Sequence, residues 1–278
     1  MELTGAIGFI IIAITVLFSI RGFGNHAMFA RYAFEVERIQ VHREYYRFFT
    51  SALLHVNWMH LLFNMFALYA FSTGLEFSLG WLNFLIIYVA SLLGGNLFAL
   101  FIHRHHADYT AVGASGAVSG VIFACLALYP GMSVNLFMIL PMPGWLFTIL
   151  FVLISLYGIR SRSDNIGHEA HLGGALIGMT TLIIMRPEVV LTNYIPILLI
   201  AVPSIVFIVF ILRRPEALYV DNLFYKTHQH YTIDDRYNMS QRNKQEEVDR
   251  ILEKIHKKGM QSLTRREKQT LKEYSKSK

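Results

Sequence analysis

The sequence predicts an all-α protein that crosses a membrane several times, and three observations predict it. Of 278 residues, 54% are hydrophobic and only 16% are charged, with a mean hydropathy of +0.42, far greasier than a soluble domain needs. Seven separate apolar runs approach the ~20 residues that a helix needs to cross a bilayer core. Charge is segregated: residues 1–212 hold nine Arg, no Lys and nine acidic residues, whereas residues 213–278 hold sixteen Lys plus Arg against ten acids. The net charge of +6 therefore belongs to the tail.

In chain order the expected spans are Ala6–Ile20, Trp58–Phe77, Trp81–Ile102, Ser115–Tyr129, Trp145–Tyr157, His168–Met185 and Tyr194–Leu212, the fourth and fifth being short. No positive region precedes the first and no small-residue cleavage pattern clearly follows it, so it reads as a retained helix and not a signal peptide. A long first loop, residues 21–57, alternates charges with aromatics and suits an amphipathic element in the headgroup region. The seventh run holds Pro196 and Pro203 and reads as either a further span or a re-entrant segment.

After Leu212 the chain turns hydrophilic. Val248, Ile251, Leu252 and Ile255 stand at helical spacing, Gly259 stops that helix, and residues 262–267 start another. The tail reads as a soluble basic helical hairpin with an unknown partner, suited to the cytoplasm or an anionic lipid surface, and it has no feature of nucleic-acid reading. Cys125 is the sole cysteine, which excludes an intramolecular disulfide and a Cys-ligated zinc site; inside an apolar run it reads as packing.

Polar side chains within spans are costly, so each is paired, wet or chemically employed. The second span opens with His60 and Asn64 on one face, just after His55. The fourth opens with residues 113–116, GASG, and the sixth with His171, Gly174 and Gly178 along one face. The second, fourth and sixth spans run the same way, so their starts share one side of the membrane. Gly116 with Gly120, and Gly174 with Gly178, are G-x-x-x-G pairs that permit close helix approach. A neutral histidine activates a serine hydroxyl by taking its proton, and the available pair is Ser115 with His171. Oxyanion donors are the backbone N–H of Ser115 at a helix start, His60 and Asn64. Gly113 permits a tight turn beside the serine.

At these residues the sequence resembles the rhomboid intramembrane serine proteases, over roughly Tyr46 to Met179. The H-x4-H-x3-N pattern falls on His55, His60 and Asn64; G-x-S-G on Gly113 to Gly116; and A-H-x-x-G-x-x-x-G on Ala170, His171, Gly174 and Gly178. The resemblance implies a six-helix rhomboid core over residues 1–188, an additional segment over 189–212 and the tail over 213–278. It implies Ser115 as nucleophile, His171 as base, and His60 with Asn64 as oxyanion stabilisers. Tyr46-Arg47 and Glu76 match further family positions, and the resemblance implies that His55, Arg47 and Glu76 hold the first loop. Substrates would be transmembrane proteins, cut hydrolytically near a destabilised helix end without cofactor or metal. Some members carry an aromatic on the histidine ring four residues after the serine; here that residue is Ser119, so Phe123 or a residue of another helix is expected to support the ring.

Rival readings are weaker. His103, His105, His106 and Asp108 read as a headgroup-level loop and not a metal cluster, because their spacing does not align on one helix face. H-E-A-H at residues 168–171 is one residue short of a zinc-protease motif, and Glu169 is expected to face the aqueous loop. An inactive helix-binding relative or a transporter is the alternative function. Five arginines after the first span place the long loop in the cytoplasm by the positive-inside rule, whereas the resemblance places it outside. The expected location is the plasma membrane of a bacterium, in contact with its lipids.

Overall fold

The computed structural model describes residues 5–129, 131–136, 140–161, 166–213 and 251. The chain divides into two compact units, Met1–Val220 and Asp221–Lys278. The hairpin expected in the tail lies outside the described residues, residue 251 apart.

The first unit is mainly helical. Helix α1 (Ala6–Gly22) leads into a first loop built from α2 (His26–Tyr32), β1 (Phe34–Glu35), α3 (Val36–Gln40), α4 (Arg47–Thr50) and a 3-10 turn at Ser51–Leu53. Then come α5 (Trp58–Leu79), α6 (Trp81–His103), β2 (Thr110–Ala111), α7 (Ser115–Leu128), a hairpin of β3 (Ser133–Leu136) and β4 (Leu140–Pro143), α8 (Gly144–Ser161), α9 (His168–Met185), α10 (Glu188–Thr192) and α11 (Tyr194–Arg213).

Helices α6 and α8 are long and apolar enough to cross a membrane, while α1 and α7 are shorter apolar helices. The fifth expected span is longer than the sequence suggested, because α8 runs through 18 residues from Gly144 to Ser161. Neither of the two small β elements was expected. Strand β1 pairs antiparallel with β2, Phe34 opposite Ala111, and so ties the first loop to the approach to α7.

Helices α6, α7 and α9 pack most extensively on one another, with α5 on the flank of α7, α1 on α5, and α11 beside α8. Backbone contact explains this. A Cβ added at Gly174 would strike the Gly116 carbonyl, and one at Gly178 would stand 2.5 Å from the Gly120 Cα. On the other side of α9, a Cβ at Gly173 would stand 3.2 Å from the Gly95 Cα of α6. Apolar side chains fill the remainder, with Leu68, Phe84, Ile87, Val121, Leu172 and Leu182 fully buried.

Gly174→Ala is therefore expected to destabilise the helical unit by about 1–3 kcal/mol, the usual cost of overpacking. Gly74→Ala, where an added Cβ meets nothing within 4 Å, should be neutral or stabilising by up to about 1 kcal/mol. Reversible unfolding in mixed detergent micelles would measure both, and equal losses would refute the packing account.

Candidate active site

Ser115 is the first residue of α7 and His171 lies in the first turn of α9. The glycine contact between these helices lies next to both: Gly116 follows the serine, and Gly174 is one turn beyond the histidine. The result is a hydrogen bond of 2.6 Å between Ser115 Oγ and His171 Nε2. Both residues are half-buried. With the imidazole neutral, Nε2 accepts the serine proton, which is the arrangement that general-base activation needs.

The approach to the serine is fixed from several directions. Gly113 has φ +127°, a conformation that side-chain-bearing residues rarely adopt, and an added Cβ would stand 2.9 Å from His60 Nε2. Its N–H donates to Ser51 O at 2.9 Å. Asn96 of α6 donates to Phe48 O at 2.7 Å and lies 3.4 Å from Ser51 Oγ, fixing the turn that receives Gly113.

His55 is fully buried and bridges α1 to α7. The Ala114 N–H donates to its Nε2 at 3.4 Å, so the ring proton is on Nδ1, which donates to Ser19 Oγ at 2.9 Å; Ser19 in turn donates to Leu53 O at 2.8 Å. Its ring stands edge-on to His60, with centroids 4.8 Å apart. Burial, with His60 alongside, pushes the His55 imidazole down to about 3.

His60 reaches this region from α5, with Asn64 one turn further along the same helix, whose N-terminus is capped by Asn57 accepting from the His60 N–H at 2.9 Å. His60 Nδ1 is buried with no hydrogen-bond partner among the described residues. Asn64 Nδ2 donates to His60 O at 2.9 Å, and the same amide carries a second N–H.

In the first loop, Arg47 is buried and donates to Ala33 O at 2.6 Å, Ala30 O at 2.9 Å and Glu44 Oε2 at 2.6 Å. That guanidinium bond, with Tyr46 assisting, holds the Glu44 carboxyl below the usual range. Tyr46 donates to Arg31 O or Glu44 Oε2, at 3.2 and 3.0 Å. Glu76 does not reach this loop. It lies roughly 27 Å along α5 from Trp58, at 1.5 Å per residue, and its carboxylate accepts from the Gly8 N–H at 2.6 Å and the Ile7 N–H at 3.2 Å. It caps α1, whose free N–H groups at a buried end favour a carboxylate.

Two further expectations change. Glu169 does not face an aqueous loop: it is buried, and Oε1 accepts from His103 Nε2 at 2.8 Å. His103 is the buried last residue of α6 and no part of a headgroup loop. The His171 ring has His168 edge-on at 5.9 Å and Phe151 of α8 at 6.5 Å, and Phe123 packs on Phe151 at 4.6 Å. Cys125 is buried, its Sγ donating to Phe71 O at 3.4 Å. No group of three or more His, Cys, Asp or Glu side chains is placed to hold a metal ion among the described residues.

Ser19, Ser51, Asn96 and Phe151 were not singled out in the sequence. Their only signal is polarity or aromaticity inside apolar runs, and partners so distant in sequence leave no local pattern.

A match to the Rhomboid domain family covers residues 42–188, just over half of the chain and all of the site helices α5, α7 and α9. The chain belongs to the rhomboid family. It is 35% identical over 134 residues to Rhomboid protein 1, mitochondrial, of Saccharomyces cerevisiae, covering 46% of this chain and 38% of that protein. Rhomboid protease GluP of Bacillus subtilis is 34% identical over 135 residues, 49% of this chain and 25% of that protein. Rhomboid protease AarA of Providencia stuartii is 29% identical over 155 residues, 49% and 54% of the two chains. This rhomboid thus spans from a quarter to about half the length of these relatives. Residues 231–277 match a second family, one of unknown function.

His55 contributes to the acid limb of stability. Between pH 6.5 and about 3 the unfolded chain binds a proton there that the folded chain refuses, so this contribution is full above pH 6.5 and is lost as pH falls. Wild type should lose up to about 1.4 kcal/mol per pH unit in that window relative to His55→Gln, which keeps a donor and an acceptor but does not titrate. Unfolding free energies of the two proteins from pH 7 to 4 measure the difference; parallel curves would exclude His55 as its source.

Proposed function

We propose that this rhomboid is an intramembrane serine endopeptidase that hydrolyses peptide bonds at the ends of transmembrane helices of other membrane proteins. The observation that carries this reading is the 2.6 Å contact of Ser115 Oγ with His171 Nε2 at the starts of two interlocked helices. Relatives named as proteases in Bacillus subtilis and Providencia stuartii support the same chemistry.

His171 Nε2 takes the proton as Ser115 Oγ attacks the scissile carbonyl. The tetrahedral oxyanion accepts from the Ser115 N–H, free because the first N–H groups of a helix have no partner within it, and from His60 and the second N–H of Asn64. Protonated His171 then gives its proton to the leaving amine as the C–N bond breaks, leaving an ester on Ser115. Water, deprotonated by the same imidazole, attacks that ester and releases the acid product and the serine. No third acid and no cofactor takes part.

The substrate class follows from the bilayer. A helix in lipid satisfies its backbone groups internally, so its carbonyls reach Ser115 only where residues such as Gly or Pro loosen it. In this reading α1 and α5–α9 are six spans within residues 1–188, α11 is an additional segment within 189–212, and 213–278 is an appended tail. Bacterial relatives support a bacterial plasma membrane as the site of action, although the yeast relative is named mitochondrial.

Purified protein in liposomes should cleave model transmembrane substrates faster as helix-breaking content rises, and a fluorophosphonate probe should label it. Ser115→Ala and His171→Ala should each lower cleavage at least about 10³-fold. Either variant cleaving at the wild-type rate would sink the mechanism, and a wild type that neither cleaves nor labels would favour a helix-binding role.

A further inference from the structure

His103 lies outside the dyad but touches both segments that carry it. It ends α6 and is buried. On its edge, Nε2 donates to Glu169 Oε1 at 2.8 Å, and both side chains are about 95% buried. Glu169 stands two residues before His171 in the first turn of α9, where the free N–H groups favour a carboxylate. On its face, the imidazole stacks on Tyr109, with centroids 3.6 Å apart and planes at 9°. Tyr109 stands six residues before Ser115, immediately ahead of β2 on the chain that leads into α7.

Tyr109 also secures its surroundings. Its carbonyl accepts from the Val36 N–H at 3.2 Å, and its ring meets the Phe34 ring edge-on at 6.2 Å. Its hydroxyl would stand 3.6 Å from a Cβ on Gly167, the residue that caps α9. One imidazole at the end of a rigid helix thus bears on the chain entering Ser115 and on the turn presenting His171.

The glycine contacts fix the spacing of α7 and α9, and the His103 contacts act on the chain segments that enter their first turns. We propose that His103, acting through Glu169 and Tyr109, is a positioning residue that holds Ser115 and His171 in reacting register. This rests on the reading of those two residues as the catalytic dyad. A misplacement of 1 Å costs about a hundredfold in rate, so loosening the clamp affects the chemical step before it affects substrate binding.

The test compares Glu169→Ala, Tyr109→Leu and Glu169→Gln in full-length protein reconstituted in liposomes. Cleavage kinetics on a transmembrane substrate, the rate of fluorophosphonate labelling at Ser115, and thermal stability are measured together. Glu169→Ala and Tyr109→Leu should lower kcat roughly ten- to hundredfold and slow labelling by a similar factor, with KM within about twofold. Glu169→Gln, which still accepts from His103, should recover most of both rates. If Glu169→Ala does not fold, Tyr109→Leu carries the test: it removes the ring stacked on His103, with its edge contact to Phe34 and its hydroxyl beside Gly167, and leaves the His103–Glu169 bond in place. The proposal is overturned if folded variants label and turn over within about twofold of wild type, or if activity falls only in proportion to the unfolded fraction. A wild type that is inert, or a Ser115→Ala protein that still cleaves, would instead remove the dyad reading beneath it.

Discussion

The backbone-to-backbone contact of α7 with α9 is the constraint on which the rest depends. Helices in lipid gain nothing by hiding apolar surface from water, so they associate through close van der Waals contact. Here Gly116 and Gly120 meet Gly174 and Gly178 so closely that an added methyl group would collide with backbone. Because the serine is adjacent to Gly116 and the histidine is one turn before Gly174, the same contact that holds the core also brings Oγ to Nε2. A single larger residue in that seam would separate both.

The second constraint is the shortness of α7. With 14 residues it spans roughly 21 Å at 1.5 Å per residue, less than the hydrocarbon core. At both of its ends other segments supply partners for backbone groups that the helix leaves unpaired. At the start, His55 accepts from the Ala114 N–H. At the end, Asn193 Nδ2 donates to Ala127 O and Leu128 O at 2.9 and 3.0 Å. Glu76 does the same for α1. In these three places a polar side chain closes a helix end.

Much of this was legible in the sequence, for a physical reason in each case. The apolar runs gave the long helices because lipid demands length and hydrophobicity. The glycine spacing gave the α7–α9 contact because close approach demands small residues at i and i+4. Ser115, His171, His60 and Asn64 stood out as polar groups at the starts of helices running the same way. What stayed hidden depended on partners distant in the chain. The Glu76 carboxylate satisfies N–H groups 68 and 69 residues away, and nothing near it in sequence identifies them. The link of β1 to β2 involves two residues per strand, too few for alternation to register. His103 looked like part of a histidine-rich loop because its neighbours His105 and His106 mask that it still belongs to the apolar helix before it.

Ser119 shows how a site can keep its geometry when one support is small. The residue one turn after the nucleophile contributes no ring, yet His171 is not left to rotate freely. Phe123, one turn further along α7, packs on Phe151 of α8, and the Phe151 ring stands 6.5 Å from the imidazole, which has His168 edge-on at 5.9 Å. Support therefore comes across a helix boundary, from an element that packs on α11 as well as on α9. A ring supplied by α7 itself would move with the nucleophile. A ring supplied by α8 makes the aim of the base depend on where α8 sits, so the packing of that helix and the orientation of His171 are set by one shared contact.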